Sequence, residues 1–136
     1  MRFERGRVGG PTGSGPTTIT GVMGMDARLQ AEGIGVNSVV FQPGSRTYWH
    51  SHTGGQVFIV DFGRGLVGTR DGGCQVIEAG DVLYTPPNEE HWHGAAPDSF
   101  VAYTTISLGK TVWADELPES LYLSAVPLPN RGGGAA

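Results

Sequence analysis

Runs of β-branched and aromatic residues alternate with Gly- and Pro-rich turns through the middle of the chain, a pattern typical of short strands. The sequence predicts strands at residues 34–41, 56–62, 66–70, 74–79, 82–85 and 99–108. A hairpin is expected across Asp71, Gly72 and Gly73, because Asp and Gly accept the positive φ of tight hairpin turns. Helical periodicity is weak, and one short helical turn is expected at residues 114–121. Turns that recur about every 8–12 residues favour an all-β sandwich or barrel.

The composition agrees with an all-β fold and excludes several classes of protein. Gly and Pro account for 23 and 9 of the 136 residues, which is rich for a helical bundle because both disfavour helix interiors. Hydrophobic residues still make up 38% of the chain, so a disordered or collagen-like protein is excluded. The formal net charge is −4, so the chain has no basic field of the kind that holds a nucleic-acid backbone.

The length fits one ordinary domain. We expect an irregular N-terminal arm at residues 1–18, a single domain at 19–126 and a flexible C-terminal tail at 127–136, because both ends are rich in Gly, Pro and small residues. The single Cys excludes an internal disulfide framework, and no apolar run reaches membrane-spanning length. Because no apolar segment follows the first charged residues, we expect a cytoplasmic protein without a membrane partner.

All four histidines of the chain fall in two His-x-His pairs, His50 with His52 and His91 with His93. Residues i and i+2 of a strand face the same side, about 6.6 Å apart, so each pair can direct both imidazoles to one point. Imidazole is the commonest protein ligand for transition metals. The arrangement therefore predicts a metal site built from two strands.

The residues around the two pairs follow two longer motifs. Their spacing is Gly44-x5-His50-x-His52-x3-Gln56-x6-Gly63 and Gly80-x5-Pro86-x2-Glu89-x-His91. These blocks resemble the two motifs of the cupin superfamily, and the resemblance covers about residues 34–110. It implies a double-stranded β-helix, which is a small jelly-roll barrel, with one divalent metal per chain. The metal ligands that it implies are His50, His52, Gln56 and His91.

The strings at residues 41–52, 55–56 and 90–97 resemble a narrower group, the small bacterial cupins related to carboxymuconolactone-decarboxylase-associated proteins. That group includes manganese-dependent cupin hydroxynitrile lyases, which bind metal through three His and a Gln. Cupin polyketide cyclases have a similar plan, with zinc below an apolar cavity. The neutral Gln56 stands where most cupins have Glu, so the metal would keep its full charge as a Lewis acid. The hydroxynitrile lyases carry a further His where this chain has Tyr103, which weakens cyanohydrin cleavage as the native reaction.

Inward-facing strand positions predict a mostly apolar cavity with a few polar points, which is usual for a small-molecule site. The predicted pocket residues are Asn37, Val39, Phe58, Val101, Thr105 and Ser107. His93 and Tyr103 are the candidate catalytic residues. His93 can be a fourth imidazole ligand or a base beside the metal, and the base role is favoured because Gln56 fills the fourth motif position. Tyr103 can pack in the core or act as an acid or base.

These features predict a divalent-metal-dependent enzyme that activates an oxygen of a small organic substrate while His93, with Tyr103, moves a proton. Lyase, cyclase, dehydratase and isomerase reactions fit this site, and the ligand types leave Mn, Fe, Zn and Ni open as the metal. One alternative is an iron-dependent dioxygenase, and another is a non-catalytic module that binds metal or a small molecule. The resemblance also implies a homodimer or higher homo-oligomer, because small cupins usually pair through their N-terminal strands.

Overall fold

The structure is a computed structural model that describes residues 1–8, 13–14 and 17–127. The described strands are β1 (Gly13–Ser14), β2 (Ile19–Thr20), β3 (Met23–Ala31), β4 (Ile34–Phe41), β5 (Arg46–Thr47), β6 (His50–His52), β7 (Gln56–Thr69), β8 (Cys74–Glu78), β9 (Val82–Thr85), β10 (His91–Ala95), β11 (Val101–Leu108) and β12 (Thr111–Trp113). One helix, α1 (Glu119–Ala125), follows them. The expected C-terminal tail lies outside the described residues apart from residue 127.

The strands form two sheets that share β7. The first sheet has the order β1-β3-β4-β11-β7, with β9 also paired to β7. The second continues from β7 through β10 and β5 to β2, with β8 on β7 and with β6 between β10 and β12. Every strand pair in the described part of the chain is antiparallel. The all-β class that the sequence predicts is confirmed.

Strand β7 differs most from its prediction, because it runs unbroken for 14 residues where two separate strands were expected. Its first half pairs with β11 and β9, and its second half pairs with β10 and β8. Gly63 allows the change of sheet, since it has a φ of 79° and a Cβ there would collide with the carbonyl oxygen of Phe100. Residues 63–65 therefore form a barrel corner within one strand.

Two other elements differ from the sequence analysis. β3 was not predicted, yet it pairs with β4 along its length across the two-residue turn at Glu32 and Gly33, where Gly33 has a φ of 77°. The helix starts five residues later than expected, because Pro118 is tolerated at a helix N-terminus but not inside a helix. Within the expected N-terminal arm, β1 pairs with β3.

Two apolar clusters lie on opposite sides of the second sheet. The inner cluster fills the barrel and includes Phe41, Phe58, Val60 and Val101, each at most 1% exposed. The outer cluster consists of Trp49, Leu66, Trp92, Leu117 and Tyr122 and is covered by α1. The two Trp side chains alternate with the histidines along β6 and β10, so the histidines face the interior.

In the described part of the chain, no helix is both long and apolar enough to cross a lipid bilayer.

Candidate functional site

The two His-x-His pairs lie on neighbouring antiparallel strands. His91 on β10 is directly opposite His50 on β6, and all five residues of β10 are buried. On the other side of β6, β12 places Thr111 opposite His52 and Trp113 opposite His50. Both pairs lie on strands, as expected from the sequence, and the two strands are neighbours in the second sheet.

Three imidazoles form a compact buried cluster. Ring nitrogens of His50, His91 and His93 all lie within 4.8 Å of one another, and none of these side chains is more than 5% exposed. The His52 ring centroid lies 5.1 Å from that of His50 and 5.5 Å from that of His91. Gln56 Oε1 lies 3.1 Å from His91 Nε2. The structure thus brings together His93 and all four residues that the sequence analysis assigned to the metal.

The Nδ1 atoms of three histidines are held from outside the cluster. His50 Nδ1 lies 3.0 Å from the Tyr48 carbonyl oxygen, and His91 Nδ1 lies 3.0 Å from that of Glu89. His52 Nδ1 lies 3.0 Å from Thr111 Oγ1. A carbonyl can only accept a hydrogen bond, so Nδ1 of the first two rings carries the proton and Nε2 keeps a free lone pair.

The inward-facing Nε2 atoms lack donors that would satisfy them. His52 Nε2 is buried without a hydrogen-bond partner, and His91 Nε2 faces the Gln56 carbonyl oxygen, which also brings a lone pair. The Gln56 amide nitrogen donates to Ser107 Oγ at 3.0 Å, which turns Oε1 toward His91. A cation would satisfy these lone pairs, because they converge without a proton between them.

All four histidines are neutral at physiological pH. Burial lowers the pKa of His50 well below its usual value, and the nearby His91 lowers it further. Burial, with a contribution from His91, lowers the pKa of His52 to about 4. Burial is also the main reason that the pKa of His91 and that of His93 are lowered. Because metal ligation requires unprotonated imidazole, this donor set fits a divalent transition metal.

His93 is held in a different way, through the Tyr103 hydroxyl, which hydrogen-bonds His93 Nδ1. Tyr103 is 1% exposed, and its burial raises the pKa of the phenol well above its usual value. The phenol therefore keeps its proton. Donation from Tyr103 to Nδ1 would place the proton of His93 on Nε2, whereas donation from Nδ1 to the phenol oxygen would leave Nε2 with a free lone pair. Tyr103 therefore contacts His93 as a neutral phenol, which can donate a hydrogen bond to Nδ1 or accept one from it.

A cavity of about 420 Å³ opens beside the histidines. It is reached by His50, His52, Gln56 and His93, so the polar cluster forms one wall. The apolar and remaining polar lining residues are Ile19, Met23, Met25, Asn37, Val39, Phe41, Thr47, Thr105, Ser107, Thr111 and Trp113. The predicted pocket residues Asn37, Val39, Thr105 and Ser107 are therefore among its walls.

Two predicted pocket residues do not line the cavity. Phe58 and Val101 are both 0% exposed and belong to the inner apolar cluster. The Phe58 ring packs against His93, with 5.2 Å between ring centroids, and against Tyr103 at 4.8 Å. Tyr103 likewise does not reach the cavity and acts on it through His93. Strand alternation identifies an inward side chain, but core and cavity share the same inner face.

The sequence analysis missed walls supplied by short or unpredicted strands. Met23 and Met25 come from β3, and their spacing of two was the available signal. Thr111 and Trp113 come from β12, where Trp113 packs on His50 with 4.6 Å between ring centroids. A strand of three residues gives almost no periodic signal, so only its pairing with β6 identifies its role.

Comparisons with known proteins agree with this architecture. Residues 37–106 match the cupin domain. The (R)-mandelonitrile lyase of Granulicella tundricola is 38% identical over 129 residues, which cover 88% of this chain and 98% of that protein. A cupin-like protein from Thermotoga maritima superposes with a TM-score of 0.80 at 37% identity, over 83% of this chain and 92% of its own. A polyketide cyclase from Streptomyces resistomycificus has a TM-score of 0.64 at 15% identity, over 77% of this chain and 84% of its own, and shares the fold alone.

The double-stranded β-helix expected from the sequence is confirmed by these matches and by the sheets described above. The two histidine motifs lie within the matched segment, so they occupy the region that defines the domain. The chain belongs to the cupin family.

Proposed function

We propose that this cupin is a divalent-metal-dependent lyase that cleaves a carbon–carbon bond next to a hydroxyl-bearing carbon of a small molecule. Similarity to the (R)-mandelonitrile lyase over nearly its whole length supports the reaction class. The observation that carries the proposal is the contrast between His93, whose Nδ1 meets the buried Tyr103 hydroxyl, and His50 and His91, whose Nδ1 atoms donate to backbone carbonyl oxygens.

The residues that would hold the metal are His50, His52, Gln56 and His91. Three of them offer Nε2 toward the cluster, and Gln56 offers its amide oxygen. When bound, the metal supplies Lewis-acid polarisation of the substrate oxygen. All four donors are neutral and do not offset the charge of the metal. The substrate oxygen would therefore meet the full metal charge.

His93 would move the proton. In the tautomer in which Nδ1 donates to the Tyr103 hydroxyl oxygen, Nε2 has a free lone pair and can take the substrate's hydroxyl proton. The carbon–carbon bond then breaks, its electron pair leaves with the departing group, and Nε2 returns the proton to that group. The lowered pKa of His93 makes its protonated form a ready donor in the last step. These reaction steps are balanced and need no oxidant.

The cavity suits a substrate of modest size. Its volume of about 420 Å³ falls in the range of small-molecule sites. Met23, Met25 and Trp113 provide apolar contact for a hydrocarbon or aromatic group. Asn37, Thr105 and Ser107 provide a few polar points. An aryl or alkyl group would therefore lie against the β3 side while the reacting oxygen faces the histidines.

The test uses purified protein stripped with a chelator and reloaded separately with Mn²⁺, Fe²⁺, Zn²⁺ or Ni²⁺. Metal content is measured by mass spectrometry, and cleavage of racemic mandelonitrile is followed by the release of benzaldehyde. Turnover is expected only in a metal-loaded form that holds one ion per chain. His93→Ala should keep the metal but lose about a hundredfold or more in kcat, whereas His50→Ala should lose the metal.

The matched control is Met25→Leu, which alters the apolar cavity wall without removing a hydrogen-bond donor and should change KM more than kcat. Failure of every metal to support cleavage of mandelonitrile or related hydroxy compounds would contradict the proposal. Oxygen consumption coupled to substrate loss in the iron form would favour a dioxygenase in its place. Full turnover by His93→Ala would remove this residue from the mechanism.

A further inference from the structure

Two hydrogen-bonding side chains of the cavity wall lack an acceptor within the described part of the chain. Asn37 on β4 is directly opposite Thr105 on β11, and both side chains line the cavity. Side chains that face each other across an antiparallel pair have Cβ atoms about 4.5–5.5 Å apart, so one small group can contact both. Thr105 is buried, and its hydroxyl makes no hydrogen bond to any described residue.

The Asn37 amide is oriented by a side chain of the neighbouring strand. Gln30 on β3 donates from Nε2 to Asn37 Oδ1 at 3.3 Å, so the acceptor end of the Asn37 amide is already occupied. The other end, Nδ2, carries two N–H groups and can only donate. Asn37 therefore has a donor available beside the Thr105 hydroxyl, which is a second donor.

Thr105 lies between the two parts of the candidate site on β11. Inward positions of a strand repeat every two residues, about 6.6 Å apart. Tyr103, one such step earlier, contacts His93 through its hydroxyl. Ser107, one step later, accepts a hydrogen bond from the Gln56 amide at 3.0 Å. The free hydroxyl of Thr105 is therefore flanked by the residue that contacts the candidate base and by the residue that orients a candidate metal ligand.

The surroundings of this pair favour an uncharged oxygen of the substrate over a carboxylate. Among the described residues that line the cavity, none is a Lys or an Arg. Transfer of a carboxylate into a mostly apolar cavity is unfavourable when no cationic side chain pairs with it. Fixed donors in such a cavity are instead most effective toward negative charge that develops during a reaction, because they stabilise it without reorganising.

Cleavage of a carbon–carbon bond creates negative charge of this kind, because the electron pair of the bond leaves with the departing group. An alkyl group cannot hold that pair, whereas a group with an adjacent carbonyl holds it as an enolate, with the charge on oxygen. A departing cyanide has one lone pair on its nitrogen, but an enolate oxygen has several and accepts two hydrogen bonds. Two donors side by side on different strands, Asn37 and Thr105, therefore match an enolate better than cyanide.

We propose that Asn37 and Thr105 form an oxyanion hole for an enolate, and that the substrates are β-hydroxy carbonyl compounds cleaved in a retro-aldol reaction. The inference rests on the proposed function. His93 Nε2 takes the hydroxyl proton, the oxygen forms the carbonyl of an aldehyde, and the adjacent carbon–carbon bond breaks. The pair of that bond becomes the double bond of the enolate, whose oxygen accepts from Asn37 Nδ2 and Thr105 Oγ1. His93 then returns the proton to the enolate carbon, so the steps balance without an oxidant.

The first test measures binding without turnover, in chelator-treated protein. The probe is benzylacetone, which has a carbonyl and an aryl group but no hydroxyl to react, and its dissociation constant is read from tryptophan fluorescence because Trp113 lines the cavity. Asn37→Ala and Thr105→Val should each weaken binding about fivefold, since each removes one donor to the carbonyl. Thr105→Ser keeps the hydroxyl and should restore the affinity. Thr104→Val is the matched control, because the Thr104 hydroxyl bonds Asp61 on the outer face of the same strand.

The second test compares two substrates of the metal-loaded protein that both release benzaldehyde, namely the aldol adduct of benzaldehyde with acetone and mandelonitrile. Wild type should cleave the aldol adduct with the higher kcat/KM. Asn37→Ala and Thr105→Val should each lower kcat for the aldol adduct by about a hundredfold, and should lower it much less for mandelonitrile. Thr104→Val should leave both activities unchanged, and circular dichroism confirms that each variant is folded.

The outcomes separate this inference from the proposed function. Cleavage of mandelonitrile without cleavage of the aldol adduct would overturn the inference and leave the proposed lyase in place. Equal losses on both substrates would overturn the oxyanion hole, and so would an affinity for benzylacetone that neither Asn37→Ala nor Thr105→Val weakens. Cleavage of neither substrate would overturn the proposed function and the enolate step with it, even if benzylacetone still binds through the two donors.

Discussion

His93 differs from His50 and His91 in what holds its Nδ1 atom. The Nδ1 atoms of His50 and His91 meet backbone carbonyl oxygens, so their protons face away from the cluster. His93 Nδ1 meets the hydroxyl of Tyr103, a group that can both donate and accept. A carbonyl fixes one tautomer, whereas a hydroxyl permits two. The rings of His50 and His91 are therefore fixed with Nε2 free, whereas His52, on the Thr111 hydroxyl, and His93, on the Tyr103 hydroxyl, can each adopt either tautomer.

Tyr103→Phe should therefore act on His93 and not on the metal ligands. The substitution removes one buried hydroxyl and leaves Nδ1 without its partner, so we expect a loss of about 1–3 kcal/mol in the free energy of unfolding. We also expect a fall of about tenfold or more in kcat, with metal content unchanged. Nitrogen NMR of the imidazoles should report a different balance of the Nδ1–H and Nε2–H tautomers of His93 in the variant from that in the wild type.

Tyr122→Phe separates this effect from a general loss of stability. Tyr122 is 3% exposed, and its hydroxyl donates to the Ala95 carbonyl oxygen at 2.7 Å in the outer cluster. This variant should lose comparable stability while the His93 tautomer and kcat stay unchanged. An unaltered His93 tautomer in Tyr103→Phe would contradict the positioning role of Tyr103.

At the scale of elements, the site depends on how closely β10 approaches β5. Gly94 follows His93 on β10 and is opposite Arg46 on β5 and Leu66 on β7. A Cβ at Gly94 would lie 2.6 Å from Arg46 Cα and would also collide with the Ser45 carbonyl oxygen. Both are backbone atoms, so neither can move without shifting a strand. Gly94 thereby sets the position of the strand that carries His91 and His93.

Gly94→Ala should therefore destabilise the protein and disturb the histidines together. Overpacking of this kind costs about 1–3 kcal/mol, measurable by urea unfolding. Gly35→Ala is the matched control, because Gly35 also lies within a strand but a Cβ there would meet only the Gln30 side chain, at 3.2 Å. Since Ala loses less entropy on folding than Gly, the control should be neutral or slightly stabilising. Equal stability of the two variants would show that β5 and β10 are not tightly constrained.

The sequence predicts elements well where a pattern is longer than a few residues. Strands with a strong β-branched run, such as β4 and β9, were predicted with their observed bounds. β3 was missed because its polar residues fit no simple alternation, and a bulge between Ala27 and Leu29 interrupts it. β12 has three residues and acquires its role only through β6. Pairing between distant segments decides these cases, and a single sequence does not encode it locally.

For the whole molecule, the two histidine pairs allowed the site to be predicted from the sequence. Whether an inward side chain lies in the core or on the cavity wall could not be predicted in the same way. A spacing of two on a strand requires both side chains to face one side, so the convergence of each pair follows from the sequence, and the pairing of β6 with β10 brings the two pairs together. The same rule placed Phe58 on the cavity wall, although it lies in the core beneath His93. Position along the barrel axis depends on strand register across sheets, which only the folded structure supplies.

The buried histidines together give the metal-free protein a characteristic pH dependence of stability. Burial lowers the pKa of each below the value near 6.5 of an unfolded chain, and that of His52 falls to about 4. Between these values the unfolded chain binds protons that the folded chain does not, so stability is full above pH 6.5 and falls as the pH decreases toward 4. Each such histidine contributes up to about 1.4 kcal/mol per pH unit to the slope of the free energy of unfolding against pH.

Urea unfolding of the chelator-treated protein at several pH values between 7.5 and 4.5 measures this slope. His52→Gln removes one titrating ring, so its slope should be smaller than that of the wild type by up to about 1.4 kcal/mol per pH unit. Adding a bound divalent metal should raise stability most at neutral pH and progressively less in acid, because protons compete for the same nitrogens. The Asp side chains with a lowered pKa affect stability mainly below this range. A stability that is flat from pH 7.5 to 5 would mean that the histidines are not neutral and buried in solution.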